Sequence, residues 1–185
     1  MAAYYLMAQL PTLDGIGESM PPPITEERFL QLCRQFLGKK AQRELDKLTL
    51  APPRTFKKSG SALINAWNAG ERDLRLALGR ARAERMQKTF DADTAGFPAE
   101  LLKTARTAAE MENPMEAEQF LNRYRQAFLE TLRPMDPFAE DSVFYYGLKL
   151  KLMLRASRFD LEAGKAAYRS IYDSILNGDR LEVLS

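Results

Sequence analysis

The sequence predicts a mainly α fold, a multi-helix bundle of two small helical lobes, and three observations predict it. Apolar residues recur at spacings of three and four along most of the chain. The long runs are built from Leu, Ala, Arg, Lys, Glu and Met, which are good helix formers. The prolines fall between those runs, where helices start and stop.

Taken in order, Ala3 to Leu10 is a short apolar segment ending at Pro11, and its tyrosines suit a short strand or an extended arm. Thr12 to Pro23 holds two glycines and three consecutive prolines, a loop composition. Thr25 followed by Glu26 and Glu27 reads as a helix start, because the hydroxyl can cap free amides and the acids suit the positive end of the dipole. Phe29, Cys33, Phe36 and Leu37 continue at helical spacing to Gly38, which is expected as the C-terminal cap. A shorter helix follows from Lys39 to Leu48, closed by Pro52-Pro53.

Ser61 to Ala69 carries the only tryptophan, Trp67. Glu71 to Phe90 forms a longer helix, and Gly70 leaves open whether the two are continuous. Asp91 to Gly96 interrupts the pattern. Pro98 opens a helix to about Glu112, and Pro114 opens the next, with Phe120, Tyr124, Ala127, Phe128 and Leu132 on one side. Pro134 and Pro137 mark a turn. Asp141 or Ser142 is expected to cap a helix to Arg158, and Asp160 another ending at Asn177-Gly178. The total is about seven or eight helices.

Two stretches compete with this reading. Leu74-Arg75-Leu76-Ala77-Leu78 and Leu148-Lys149-Leu150-Lys151-Leu152 alternate with the period of a strand. Both lie inside breaker-poor runs without β-branched enrichment, so both are expected to be helical, and their shared pattern raises a weak internal repeat. The chain reads as one helical domain, 1–185, with two lobes at about 1–95 and 96–185.

Composition limits the chemistry. The chain has 185 residues, 45% apolar and 28% charged, which is globular and argues against wholesale disorder. Its net charge of +2 is too mild to imply nucleic-acid binding by itself. Histidine is absent, which removes the side chain best suited to proton transfer near neutral pH and the commonest imidazole ligand. Cys33 is the only cysteine, so no intrachain disulfide or thiolate zinc site can form, and a Cys–His pair is excluded. Its place on the apolar side of a helix reads as a buried structural thiol. A lone thiol, the lack of a membrane-length apolar run and an N-terminus without a basic segment predict a soluble, cytoplasmic protein with no secretory signal.

No phosphate-binding loop, dinucleotide fingerprint or Gly-x-Ser-x-Gly elbow occurs. The acids at Glu110, Glu112, Glu116 and Glu118 read as solvated helix faces, and those at Asp91, Asp93, Glu140 and Asp141 as capping groups. The sequence therefore predicts no catalytic residue, no cofactor and no metal.

The basic clusters are the candidate binding residues. Arg72, Arg75 and Arg82 lie together on a helical wheel beside a face of Leu74, Ala77, Leu78 and Ala81. Such a helix can seat a partner helix by packing and charge together, or its apolar face can serve the protein's own core. A second stretch includes Arg34, Lys39, Lys40, Arg43, Lys47, Arg54, Lys57 and Lys58. It suits phosphate lipids, nucleic acid or an acidic protein surface, or stands as a solvated face. The aromatics at Tyr4-Tyr5, Phe144-Tyr145-Tyr146 and Tyr168/Tyr172 read as core packing rather than a stacking platform.

Three stretches carry a family resemblance. They are Tyr4-Tyr5-Leu6-Met7-Ala8-Gln9-Leu10-Pro11, then Glu71-Arg72-Asp73-Leu74-Arg75 leading to Arg80-Ala81-Arg82, and Leu148 to Asp160 ending in Arg158-Phe159-Asp160. Across essentially the whole chain, the sequence resembles an uncharacterised bacterial family encoded in V/A-type ATPase operons, at the position otherwise held by the gene for the C-type connector of the central stalk. That connector, in related complexes, is an all-helical, funnel-like protein that seats the rotor shaft upon the membrane ring. The resemblance implies a non-catalytic subunit or accessory protein of such an ATPase. Its partners would be the rotor shaft and membrane ring, and its association with the inner face of the plasma membrane would be peripheral. This chain looks shorter than a typical C-type connector, which leaves a reduced connector, an assembly role and a regulatory role open. The competing reading is a basic helical nucleic-acid-binding protein or a general interaction adaptor.

Overall fold

A computed structural model describes residues 2–17, 20–53, 55, 58–157, 169 and 172. Seven helices and no strand occur among the described residues. The helix expected from Asp160 to Asn177, with Tyr168 and its aromatic neighbours, lies outside them apart from residues 169 and 172, as do Arg54 and Lys57.

The N-terminal segment corrects the expectation of a strand or extended arm: Ala2–Gln9 is a helix, α1. Ala3 and Leu6 are buried with Met7 and Leu10 packed against the same core, while Tyr4 and Tyr5 face out. Inward positions at three- and four-residue spacing need a helix. The alanines, Leu6, Met7 and Gln9 outweigh the strand preference of two tyrosines.

Helix α2 (Glu26–Phe36) starts where predicted, with the Thr25 hydroxyl accepting from the Arg28 amide at 3.2 Å. Gly38 does not cap its end. Leu37 holds that place in extended geometry, donating to the Cys33 carbonyl, and Gly38 instead opens α3 (Lys39–Leu45). With φ at −68°, Gly38 never enters the left-handed conformation that a glycine cap supplies.

Ser61 caps α4 (Ala62–Arg85) by accepting from the Ile64 amide, and the 24-residue helix runs unbroken through Gly70. It stops short of Phe90 because Gln87 turns left-handed at φ 54°, and the Lys88 amide closes on the Ala83 carbonyl. Helix α5 spans Ala99–Glu110 behind Pro98. Helix α6 spans Pro114–Thr131, with Pro114 in its first turn and the Asn113 side chain as cap.

Helix α7 (Glu140–Ser157) begins before both expected capping residues. Ser142 bonds the Asp136 carbonyl from inside the helix, and Asp141 accepts from the distant Ser61 hydroxyl at 2.6 Å. Leu148, Leu150 and Leu152 are all fully buried, which explains their strand-like alternation. A helix enclosed on several sides can bury residues of either parity. Gly147 gives α7 its closest neighbours, since a Cβ there would lie 2.9 Å from Leu48 and 3.1 Å from the Phe29 ring.

Side chains gather into two apolar clusters. One joins α1, α2, α3, the start of α4 and α7 around Trp67. The other joins Leu74, Ala77, Leu78 and Ala81 of α4 to α5 and to Leu121 of α6. Between Leu74 and Trp67 on α4, the buried Glu71 accepts two hydrogen bonds from Arg125 of α6, at 2.9 and 3.1 Å, and one from Arg75 at 3.2 Å.

Candidate protein-interaction site

The predicted arginine stripe is only partly available. The face Leu74–Ala77–Leu78–Ala81 is filled by the protein's own α5 and α6. Arg75, though 42% exposed, is already engaged, donating to Glu71 and to the Pro52 carbonyl at 3.0 Å. Arg72 and Arg82 remain exposed on α4, and Lys39, Lys40 and Arg43 are exposed on α3. The two groups thus stand on separate helices. Lys47 pairs with Glu44. Cys33 is fully buried, and burial pushes its thiol up to about 12, so it stays protonated at neutral pH.

A different surface brings chemistry together. The turn between α6 and α7 faces α1 and the loop after it, leaving a cleft of about 480 Å³. Its walls are mainly apolar, with Met7, Leu10, Pro134, Met135 and Pro137 among them. Local sequence builds each side. Pro11 ends α1 and turns the chain across the body, and the buried Leu13 pins the loop to the core. Gly15, at φ 78°, supplies the left-handed step that lets the loop fold back. On the other side, Pro134 and Pro137 keep the α6–α7 connection out of either helix.

Four charged groups meet at this cleft. Asp14 from the loop accepts from Arg133 at 2.8 Å through both oxygens, and from Lys149 of α7 at 2.5 Å. Lys149 also donates to Glu130 at 2.7 Å. Tyr145 lies beneath, its ring 5.4 Å from the Arg133 guanidinium and 5.8 Å from the Lys149 ammonium, and its hydroxyl accepts from Arg133. Hydrogen bonds from Lys149 and Arg133 hold the Asp14 carboxyl below the usual carboxylate range. Burial acts upward on Glu130, but Lys149 and Tyr145 outweigh it and leave that carboxyl lowered too. Burial, then the bond to Glu130, raises the Tyr145 phenol. All four charges are therefore fully formed near neutral pH, gathered over an aromatic floor. Tyr146 closes the inner end by donating to the Pro11 carbonyl at 2.9 Å.

Helix α1 and the α6–α7 connection also carry large apolar side chains in the open. Tyr4, Tyr5, Met135 and Phe138 are 50, 57, 102 and 43% exposed. Tyr4 meets Phe138 at a 47° tilt, 4.6 Å between ring centres, and meets Tyr5 edge-on at 5.6 Å, so the aromatic groups form one surface. A contiguous patch of exposed aromatics marks an interaction site more often than scattered single residues do. The expectation of core packing therefore fails for Tyr4 and Tyr5, whereas Tyr145 and Tyr146 are indeed buried. The signal that points to this surface is Met135 and Phe138 in a proline-bounded turn, since apolar residues in a loop need a reason to be there.

Among the described residues, no cluster of acids or cysteine is placed to hold a metal ion, and no helix is long and apolar enough to cross a membrane. No protein-family model, curated protein or solved structure matches this chain.

Proposed function

We propose that this chain is a non-catalytic helical subunit that works by binding other proteins, and that its partners belong to a V/A-type ATPase. In that complex it would serve as a central-stalk connector of the C type, between rotor shaft and membrane ring. The observation that carries the binding role is the exposed aromatic patch of Tyr4, Tyr5 and Phe138, together with the exposed Met135 of a cleft that also holds paired charges. Aromatic and methionine side chains supply the apolar centre of an interface, and the cations and carboxylates fix its register. The ATPase partner comes from the family resemblance, two of whose motifs bear on this surface: Tyr4–Pro11 forms one wall, and Lys149 stands within Leu148–Asp160. Affinity-tagged chain from its native cells, solubilised in mild detergent, should bring down stalk or ring proteins of the ATPase. Combined Tyr4→Ala and Phe138→Ala replacements should abolish that capture. Recovery of no ATPase protein refutes the partner assignment, and unchanged capture by the double variant refutes the surface.

A second reading draws on the exposed Lys39, Lys40 and Arg43 of α3, which suit a polyanion. It requires nucleic-acid binding that weakens steeply with salt, and an absence of binding to DNA and RNA at low salt eliminates it.

A further inference from the structure

We propose that the cleft between α1 and the α6–α7 turn receives a carboxylate-bearing, otherwise apolar segment of a protein partner, and that Asp14 holds the carboxylate position until that segment arrives. The inference rests on the protein-binding reading above and supplies the chemistry of the occupant.

Charge complementarity selects the occupant. Arg133 and Lys149 belong to the α6–α7 side of the cleft, whereas Asp14 belongs to the loop opposite. With Asp14 in place, two cations face two carboxylates, Asp14 and Glu130. If Asp14 leaves, Glu130 alone remains and the cleft carries one positive charge in excess. A segment carrying one carboxylate restores the balance, while a basic or neutral segment does not. The walls of Met7, Leu10, Met135 and Pro137 ask that the rest of the segment be apolar.

Asp14 is also placed to yield. Its side chain is 57% exposed and that of Arg133 is 48% exposed, so water can take over both as the contact opens. Gly15 follows immediately, a residue that changes backbone conformation at little steric cost. Lys149, by contrast, is fixed on a helix whose neighbouring residues Leu148 and Leu150 are fully buried. Lys149 stays and the internal carboxylate moves.

The test uses the full chain and two small probes, N-acetyl-phenylalanine and its uncharged amide, titrated at constant ionic strength and followed by amide and arginine side-chain NMR shifts. The acid should give saturable shifts at Arg133, Tyr145 and Lys149, and the amide should bind more weakly. Asp14→Asn removes the internal competitor and should tighten the acid by about threefold or more. Arg133→Gln should abolish its binding. Equal binding of acid and amide, an Asp14→Asn affinity no tighter than the parent's, or an Arg133→Gln variant that still binds each overturns the proposal. Inorganic phosphate producing the same shifts at equal affinity overturns it too, since the seat would then be a generic anion site. Should Asp14→Asn disturb the fold by circular dichroism, Arg133→Gln and Lys149→Gln decide in its place: loss of acid binding supports the proposal and retention overturns it. Failure here with capture of ATPase proteins intact leaves the protein-binding reading standing. Probe binding without any such capture refutes the ATPase partner and leaves the carboxylate seat standing.

Discussion

Replacing Glu71 by Gln should destabilise the protein by about 3 kcal/mol, at the lower end of the ~3–5 kcal/mol seen when one member of a buried ion pair is removed. Glu71 and Arg125 are 2% and 7% exposed, and Nε and Nη2 of the guanidinium meet the two carboxylate oxygens in a forked pair. Without that carboxylate, the next acid for Arg125 is Glu118. It lies 3.9 Å from Nη1 and is already engaged by Arg155 at 2.7 Å. Arg125 Nη1 and Asn122 Oδ1 are buried without hydrogen-bond partners among the described residues, so few spare groups stand ready to compensate. The amide of Gln keeps one acceptor, which places the estimate at the lower end. The reverse change should be milder. Arg125→Met leaves Glu71 with Arg75, whose side chain is 42% exposed, and should cost about 2 kcal/mol. The double variant removes both charges and should cost less than Glu71→Gln alone, giving a coupling energy of roughly 2 kcal/mol or more. Urea unfolding followed by far-ultraviolet circular dichroism measures all three. With a denaturant slope of about 2 kcal/mol per molar, Glu71→Gln should lower the midpoint by about 1.5 M. A shift below about 0.3 M, or a double variant as unstable as the two singles added together, refutes the argument that this pair is a coupled interior bridge.

Two further outcomes follow from the same structure. Gly70→Ala should destabilise by about 1–2 kcal/mol despite the roughly 1 kcal/mol gain in helix propensity, because its methyl would enter the Phe128 ring, which is stacked on Trp67 at 6.1 Å. Urea denaturation checks the sign, and a stabilised variant would show that Phe128 swings aside freely. Asp14 should titrate below its ordinary value of 3.8, so its stabilising contribution is complete above that value and is lost as pH falls through the lowered one. Carboxyl NMR reads the midpoint directly, and Lys149→Gln should raise it. A midpoint at or above 3.8 in the parent chain would contradict the Lys149 and Arg133 contacts.

Much of the helical frame was legible because its signals are local. Thr25, Ser61, Pro98 and Pro114 mark helix starts through groups within one turn of each start. The N-terminal segment misled because two tyrosines pointed to a strand while burial at Ala3, Leu6 and Met7 settled a helix, and that burial is tertiary. Gly38 misled because a glycine after an apolar run suits a cap, yet here it merely leads into the next helix. The cleft was illegible for a stronger reason. Asp14 meets Arg133 and Lys149 across 119 and 135 residues, and none of these charges stands in a conspicuous run. Reading by charge density favoured Lys39, Lys40 and Arg43, which the fold leaves exposed on one short helix. Glu71 shows the same limit from within, since nothing in its local sequence beside Arg72 and Arg75 marks it as buried, yet it is.

The difference in depth between the two charged groups explains how one small bundle can be both firm and responsive. Glu71 and Arg125 are shielded from water, where breaking the pair strands a charge and the two apolar clusters lose their polar link. Asp14 and Arg133 are about half exposed, where an ion pair alone is worth only about 0–1 kcal/mol, and a carboxylate that takes over the bonds to Arg133 and Lys149 would offset much of the cost of releasing Asp14. The floor under that exchange does not move with it, because Tyr145, Tyr146 and Leu148 are all buried in α7. A partner entering the cleft would thus displace one half-exposed side chain, Asp14, while Lys149 stays on its buried helix, and little binding energy would go into reordering the core. Burial sets which contacts hold the body together and which remain available for exchange at its surface.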